Sequence, residues 1–332
     1  MPFTLALFAT VALAGAPAAH PSRPTQVIPT HFQAGHFFAT PETADGQALR
    51  LVVDTGGGGA AGLYWLTGAS AERLHLKETT CALGEERLSV AKLPAFKPGR
   101  GLPPPASPCG RVLLVNPQTK PNAINGDGQL GAGYLQGHVW TFDYPAQRLS
   151  LEGSDWRPDP AAHATPLGFP RDAGGHPESG FARITIRVDG QPVDMLLDTG
   201  ATAHPTAAGR KESATPTVDG YGVTSFIATS MVDRWHSAHP DWRVVERGDD
   251  LRPSRPSRII EVPEIEVAGW RVGPVWFTEQ PDRAYHEYMA SMMDKPVEGA
   301  LGANVFRHFA MTIDYPAAMA WFRCEVACEA AP

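Results

Sequence analysis

Two aspartates carry the chemistry this sequence offers. Asp54-Thr55-Gly56 follows the apolar run Leu51-Val52-Val53, and Asp198-Thr199-Gly200 follows Met195-Leu196-Leu197, so the two carboxylates lie 144 residues apart. A single such tripeptide is a plain turn in which the Asp side chain bonds its own backbone. Two of them, each at the end of an apolar strand, suit a reaction that needs two facing carboxylates. Brought close, such groups repel as anions, so that one pKa rises and the other falls.

The elements that must position these aspartates are themselves repeated. Asp45-Gly46-Gln47 matches Asp189-Gly190-Gln191 at the same offset of 144, while Gly128-Gln129-Leu130-Gly131-Ala132 matches Gly299-Ala300-Leu301-Gly302-Ala303 at 171. Asp143-Tyr144-Pro145-Ala146 matches Asp314-Tyr315-Pro316-Ala317, again at 171. Three landmarks in the same order argue for duplicated domains, with 27 more residues in the second half between its first and second landmarks. Ala71-Glu72-Arg73-Leu74 resembles Val232-Asp233-Arg234-Trp235 at offset 161, which places 17 of the extra residues just after Gly200. His204 to Thr224 is then an insertion beside the second aspartate. In the second half Phe181, Ile184, Ile186 and Val188 read as a strand, Asp189-Gly190 as its turn, and Val193 to Leu197 as the return that delivers Asp198. The same arrangement is expected around Asp45-Gly46. Leu51 to Val53, Arg111 to Val115 and Val139 to Tyr144 read as strands of the first half.

A chain of 332 residues, 43% hydrophobic and 19% charged, has globular composition and ample core. Its 32 prolines and 33 glycines, with few long helical periodicities, point to an all-β protein of two lobes. A net charge of −7 argues against a nucleic-acid binder. The first nineteen residues carry no charged side chain, and the short apolar run from Phe3 to Ala14 leads to small residues. That pattern predicts a signal peptide over 1–19. The first lobe is expected over 30–152, an interlobe linker rich in Pro, Ala, Gly and His over 153–178, and the second lobe over 179–332. No other stretch qualifies as a membrane span. Four cysteines in an exported chain suggest disulfides, with Cys81–Cys109 bracing a Pro-rich loop and Cys324–Cys328 stapling the C-terminal end; four free thiols are the alternative.

These features together resemble the aspartic proteases, both the bilobal pepsin-like and the single-lobe retropepsin-like ones. The resemblance rests on an apolar strand, Asp-Thr-Gly, and a later Gly-x-Leu-Gly leading to a short helix, here Gly128 to Gly131 before Tyr134-Leu135 and Gly299 to Gly302 before Val305-Phe306. It implies an all-β, bilobal, acid-protease-like β-barrel fold with a cleft between two related lobes. It also implies an aspartic endopeptidase in which the Asp54 and Asp198 dyad activates a water molecule. The charged carboxylate takes a proton from the water, and the protonated partner hydrogen-bonds to the peptide carbonyl oxygen. Thr55, Gly56, Thr199 and Gly200 would support the dyad; Gly57, Ala201 and Tyr221 would line the substrate cleft. No metal and no cofactor are implied. The partner is a polypeptide substrate, the chain is expected to act as a monomer, and its place is the periplasm or outside the cell. A secreted peptide-binding protein that keeps this fold without cleaving is the alternative.

Two departures from the family pattern stand out. Gly57 belongs to a run of four glycines, Gly56 to Gly59, that reads as loose and could blur the geometry around Asp54. Asp219-Gly220-Tyr221-Gly222 looks like the tip of a substrate-covering flap, yet it lies in the insertion, and no Tyr-Gly tip occurs between Cys81 and Cys109. Other motifs weigh less. Gly57 to Gly62 satisfies a dinucleotide-binding pattern, but the second copy lacks it and no βαβ alternation surrounds it. His236 and His239 lack a carboxylate at a metal-ligand spacing, and His204 is close enough in sequence to Asp198 to touch the site. Trp65 and Trp276 read as core, and Asp143 and Asp314 as hairpin turns.

Overall fold

Strand Leu51–Asp54, apolar until its last residue, lies in the middle of an eight-stranded sheet and pairs in parallel with Gly128–Gly131 and antiparallel with His36–Ala39. This computed structural model describes residues 24–58, 62–175 and 177–331; the expected leader at 1–19 and Gly59 of the glycine run lie outside them. Parallel partners need a long crossover between them. Here the crossover supplies strand Trp65–Thr67, helix Gly68–Arg73, the hairpin Glu78–Leu83 with Glu86–Lys92, and strand Val112–Asn116. The helix starts where it does because the Thr67 side chain accepts the Ser70 N–H, an N-cap of the usual kind.

The second half repeats this plan in a ten-stranded sheet. Gln191–Leu197 pairs in parallel with Gly299–Leu301, which pairs antiparallel with Ser225–Ala228, as Gly128–Gly131 does with Trp65–Thr67. Register matches residue for residue: Trp65 faces Gln129, and Phe226 faces Ala300. Phe226 stands 161 positions after Trp65, the offset read from the sequence, so the insertion follows Gly200. It forms helix Ala207–Ser213 between the short paired strands Thr202–Ala203 and Gly222–Val223.

A six-stranded sheet joins the halves. At its centre Val139–Asp143 runs antiparallel to its own counterpart, Phe309–Asp314, with Thr141 directly opposite Thr312 and their hydroxyls 2.8 Å apart. Because those threonines are equivalent in the repeat, the local two-fold axis passes between them, as in an isologous dimer. Asp143 and Asp314 close the hairpins that follow by accepting the N–H groups of Ala146 and Ala317. Fully buried Trp140, Phe142, Phe306, Phe309 and Phe322 pack around this sheet and form the core between the lobes.

One local expectation does not hold. The hairpin Arg183–Val188 with Gln191–Leu197 forms around Asp189-Gly190, but around Asp45-Gly46 the ladder is reduced to a bridge between Glu42 and Ala48. Pro41 offers no N–H, and the Thr43 hydroxyl takes the Gln47 N–H, so a side chain replaces part of the ladder. The stretch expected as linker contributes strand His163–Pro166, an edge of the joining sheet paired with Met319–Cys324, where His163 stacks on Trp270 at 4.1 Å. Both disulfides are present, Cys81 with Cys109 and Cys324 with Cys328. Among the described residues no helix is long and apolar enough to cross a membrane.

Candidate active site

Each aspartate ends a buried strand at the pseudo-two-fold axis, and the threonine after it ties the two turns together. The Thr55 N–H donates to Thr199 Oγ1 at 3.1 Å, and the Thr199 N–H to Thr55 Oγ1 at 2.9 Å. Each hydroxyl then donates onward across the axis, Thr55 to the Leu197 carbonyl at 2.7 Å and Thr199 to the Val53 carbonyl at 2.9 Å. Both threonines are buried, and both hydroxyls are fully used. Serine or threonine is required here, since the group must donate and accept at once.

The glycines set how closely the carboxyls approach. A Cβ on Gly56 would lie 2.3 Å from Asp198 Cγ, and one on Gly200 would lie 2.1 Å from Asp54 Cγ. Each turn therefore stacks its bare backbone on the opposite carboxyl, a close approach that any side chain would block. The Gly56 N–H donates to Asp54 Oδ1 at 2.9 Å and the Gly200 N–H to Asp198 Oδ1 at 3.0 Å. The two carboxyls interact with each other, and both residues are half-buried.

The pair is electrostatically unequal. Burial, then the Asp54 charge and hydrogen bond, hold Asp198 well above the usual carboxyl range. Asp54 is raised by burial too, but the Asp198 hydrogen bond, the Gly56 and Gly57 N–H groups and the Gln129 amide all pull it back. Two carboxyls so close do not readily ionise together, and the pair titrates as a unit. Burial, and after it the Asp198 charge, raises the phenols of Tyr144 and Tyr285, and burial, then Asp54, that of Tyr315.

The other expected residues fall in different places. Gly57 is not loose: a Cβ there would lie 1.6 Å from Gln129 Nε2 and 2.4 Å from Asp54 Oδ2. Ala201 is buried with its methyl packed near Gly302, away from any open wall. Tyr221 lies over the first half, lining a small cavity with His36, Phe38 and Arg50. His204 does not touch the dyad; it pairs with Asp250 and packs on Tyr221. The chain reaches across the axis here: just before the insertion Thr202 Oγ1 lies 2.9 Å from His36 Nε2, and within it Val223 sits against Gly35. His239 pairs with Asp189 and stacks on Trp242.

Sequence reasoning missed Gln129 and Trp65. Gln129 is buried, and its Nε2 donates to Asp54 Oδ2 at 2.5 Å while its Oε1 accepts from the Trp65 indole at 2.9 Å. The signal was available: a carboxamide in a wholly buried strand, where the other copy has Ala300.

No protein-family model and no curated protein matches the chain. Among solved structures it is similar to conglutin gamma, a basic 7S globulin from lupine seeds, at 12% identity and a TM-score of 0.46, covering 91% of this chain and 95% of that one. Basic 7S globulin from soybean is similar at 10% identity and a TM-score of 0.45, covering 90% and 95%. Duplicated sheets, a shared sheet on the axis and crossed threonines beneath two facing aspartates give this chain a bilobal, all-β, acid-protease-like fold.

Proposed function

We propose that the protein is an exported aspartic endopeptidase acting on polypeptides. The observation that carries this reading is the pair of carboxyls facing each other over crossed threonines, each with the bare glycine of the opposite turn stacked on it, an arrangement in which two carboxyls share one proton. In that state Asp54 accepts a proton from a water molecule as the water attacks a peptide carbonyl. Asp198 hydrogen-bonds to the carbonyl oxygen and stabilises the charge that develops there. Both carboxyls come from one chain, so a monomer with lobes at 30–152 and 179–332 suffices. Two disulfides fit an oxidising compartment, the periplasm or the cell exterior.

A second reading has its own observation. Thr202, just before the insertion, bonds across to His36 of the first half, and the insertion lays Tyr221 over that half. An insertion laid over the other half suits a protein that holds a peptide without cleaving it. The two readings part on one experiment. The mature protein is incubated with an unfolded protein between about pH 3 and 6, the range set by a shared-proton dyad. Cleavage abolished by Asp54→Asn and by Asp198→Asn supports the enzyme; binding without cleavage supports the alternative.

A further inference from the structure

We infer that Gln129, oriented by Trp65 and accommodated by Gly57, is a positioning residue that assigns the two roles in the dyad, making Asp54 the base and Asp198 the acid. This deepens the endopeptidase reading and rests on it for the roles, though not for the charge assignment itself. Trp65 Nε1–H can only donate, so the Gln129 atom facing it at 2.9 Å must be the carbonyl oxygen. The amide nitrogen is thereby fixed on the other side, where it meets Asp54 Oδ2 at 2.5 Å. A carboxamide N–H can serve only an acceptor, so it favours the ionised form of Asp54. Trp65 and Gln129 are direct cross-strand partners, which keeps both side chains on one face and holds the orientation.

The duplication makes the point sharper. Three positions differ in concert between halves that are otherwise alike around the dyad. The first half has Gly57, Trp65 and Gln129; the second has Ala201, Phe226 and Ala300 at the equivalent places. Phe226 has no donor and Ala300 no amide, so nothing equivalent reaches Asp198. Gly57 completes the set, since any Cβ there would overlap the amide nitrogen. The asymmetry of the acid and the base is thus written into three positions.

The groups facing the pair leave little else to titrate in acid. Asp54 is faced by Asp198, the Gly56 and Gly57 N–H groups, Gln129 and the Tyr315 phenol; Asp198 is faced by Asp54, the Gly200 and Ala201 N–H groups, and the Tyr144 and Tyr285 phenols. All three phenols are pushed upward and stay neutral.

The test is a carboxyl titration by carbon-13 NMR of the full mature chain labelled at aspartate, in an Asp198→Asn background so that Asp54 titrates alone. Gln129→Leu should raise the Asp54 pKa by about one unit, the loss of a hydrogen bond to a charged group. Trp65→Phe, which only frees the amide to turn over, should shift it the same way by less. Gln129→Asn, too short to reach, serves should the leucine variant not fold. In the otherwise wild-type chain, the acid limb of the kcat/KM profile should move upward with Gln129→Leu by the same amount. Unchanged Asp54 titration in the folded variants overturns the inference. If the titration shifts while the wild-type chain cleaves nothing at any pH, the endopeptidase reading falls and the charge assignment stands.

Discussion

Replacing Thr55 with valine removes one hydroxyl and almost no volume, which isolates the hydrogen bonds that cross between the lobes. Thr55 Oγ1 accepts the Thr199 N–H and donates to the Leu197 carbonyl, and the site is fully buried, so neither orphaned group gains water. A buried polar group left without a partner costs about 1–3 kcal/mol, so two of them predict a loss of about 2–6 kcal/mol. That is a large share of the stability of an ordinary domain. Thr199→Val breaks the mirror pair, the Thr55 N–H and the Val53 carbonyl, and should cost a similar amount. The double variant should cost less than the two singles together, because turns already released from one clamp can part and solvate the other. Urea unfolding at constant pH measures all three, with Thr55→Ser as the control that keeps the hydroxyl. A loss below about 1 kcal/mol for Thr55→Val would refute the view that this clamp holds the turns together.

Three further outcomes follow from the same structure. Asp198 has its folded pKa raised, so the unfolded chain ionises first as pH climbs past the ordinary carboxyl value and stability falls; Asp198→Asn should therefore stabilise the protein at pH 7 while removing activity, as thermal unfolding would record. His36 has the opposite sign for a base: burial pushes its pKa down to about 4, so between about pH 6.5 and 4 the unfolded state takes up the proton first and stability declines by about 3 kcal/mol, a slope that His36→Gln should flatten in urea titrations across that window. Breaking Cys81–Cys109 by paired Cys→Ser changes opens a loop spanning 28 positions and should cost about 3–4 kcal/mol in chain entropy, more than breaking Cys324–Cys328, which spans 4.

Much of the framework is legible in the sequence. Residues whose role is local were legible: apolar strands ending in Asp54 and Asp198, the turn at Asp189-Gly190, the short helices after Gly131 and Gly302. The insertion was legible too, because a change of offset from 144 to 161 has one physical meaning. What stayed hidden depends on pairing across the sheet. Gln129 reaches Asp54 because strand Gly128–Gly131 lies beside Leu51–Asp54, and Trp65 finds Gln129 because their strands meet in that register. Neither fact has a signature in the local sequence beyond a polar residue in an apolar strand. Gly57 misled for the same reason. Glycines in a row read as slack, whereas Gly57 is glycine because an amide 75 positions from Asp54 fills the space beside it. The Asp45-Gly46 turn misled in the other direction, its ladder displaced by a threonine side chain that no strand pattern records.

The central claim is that Asp54 and Asp198 form one working dyad, and cleavage of an unfolded protein tests it most directly. The mature chain should cut such a substrate in mildly acid solution, and Asp54→Asn and Asp198→Asn, each folded, should each abolish cutting. A wild-type chain that cuts nothing across the acid range, or an asparagine variant that cuts as fast as wild type, would contradict it.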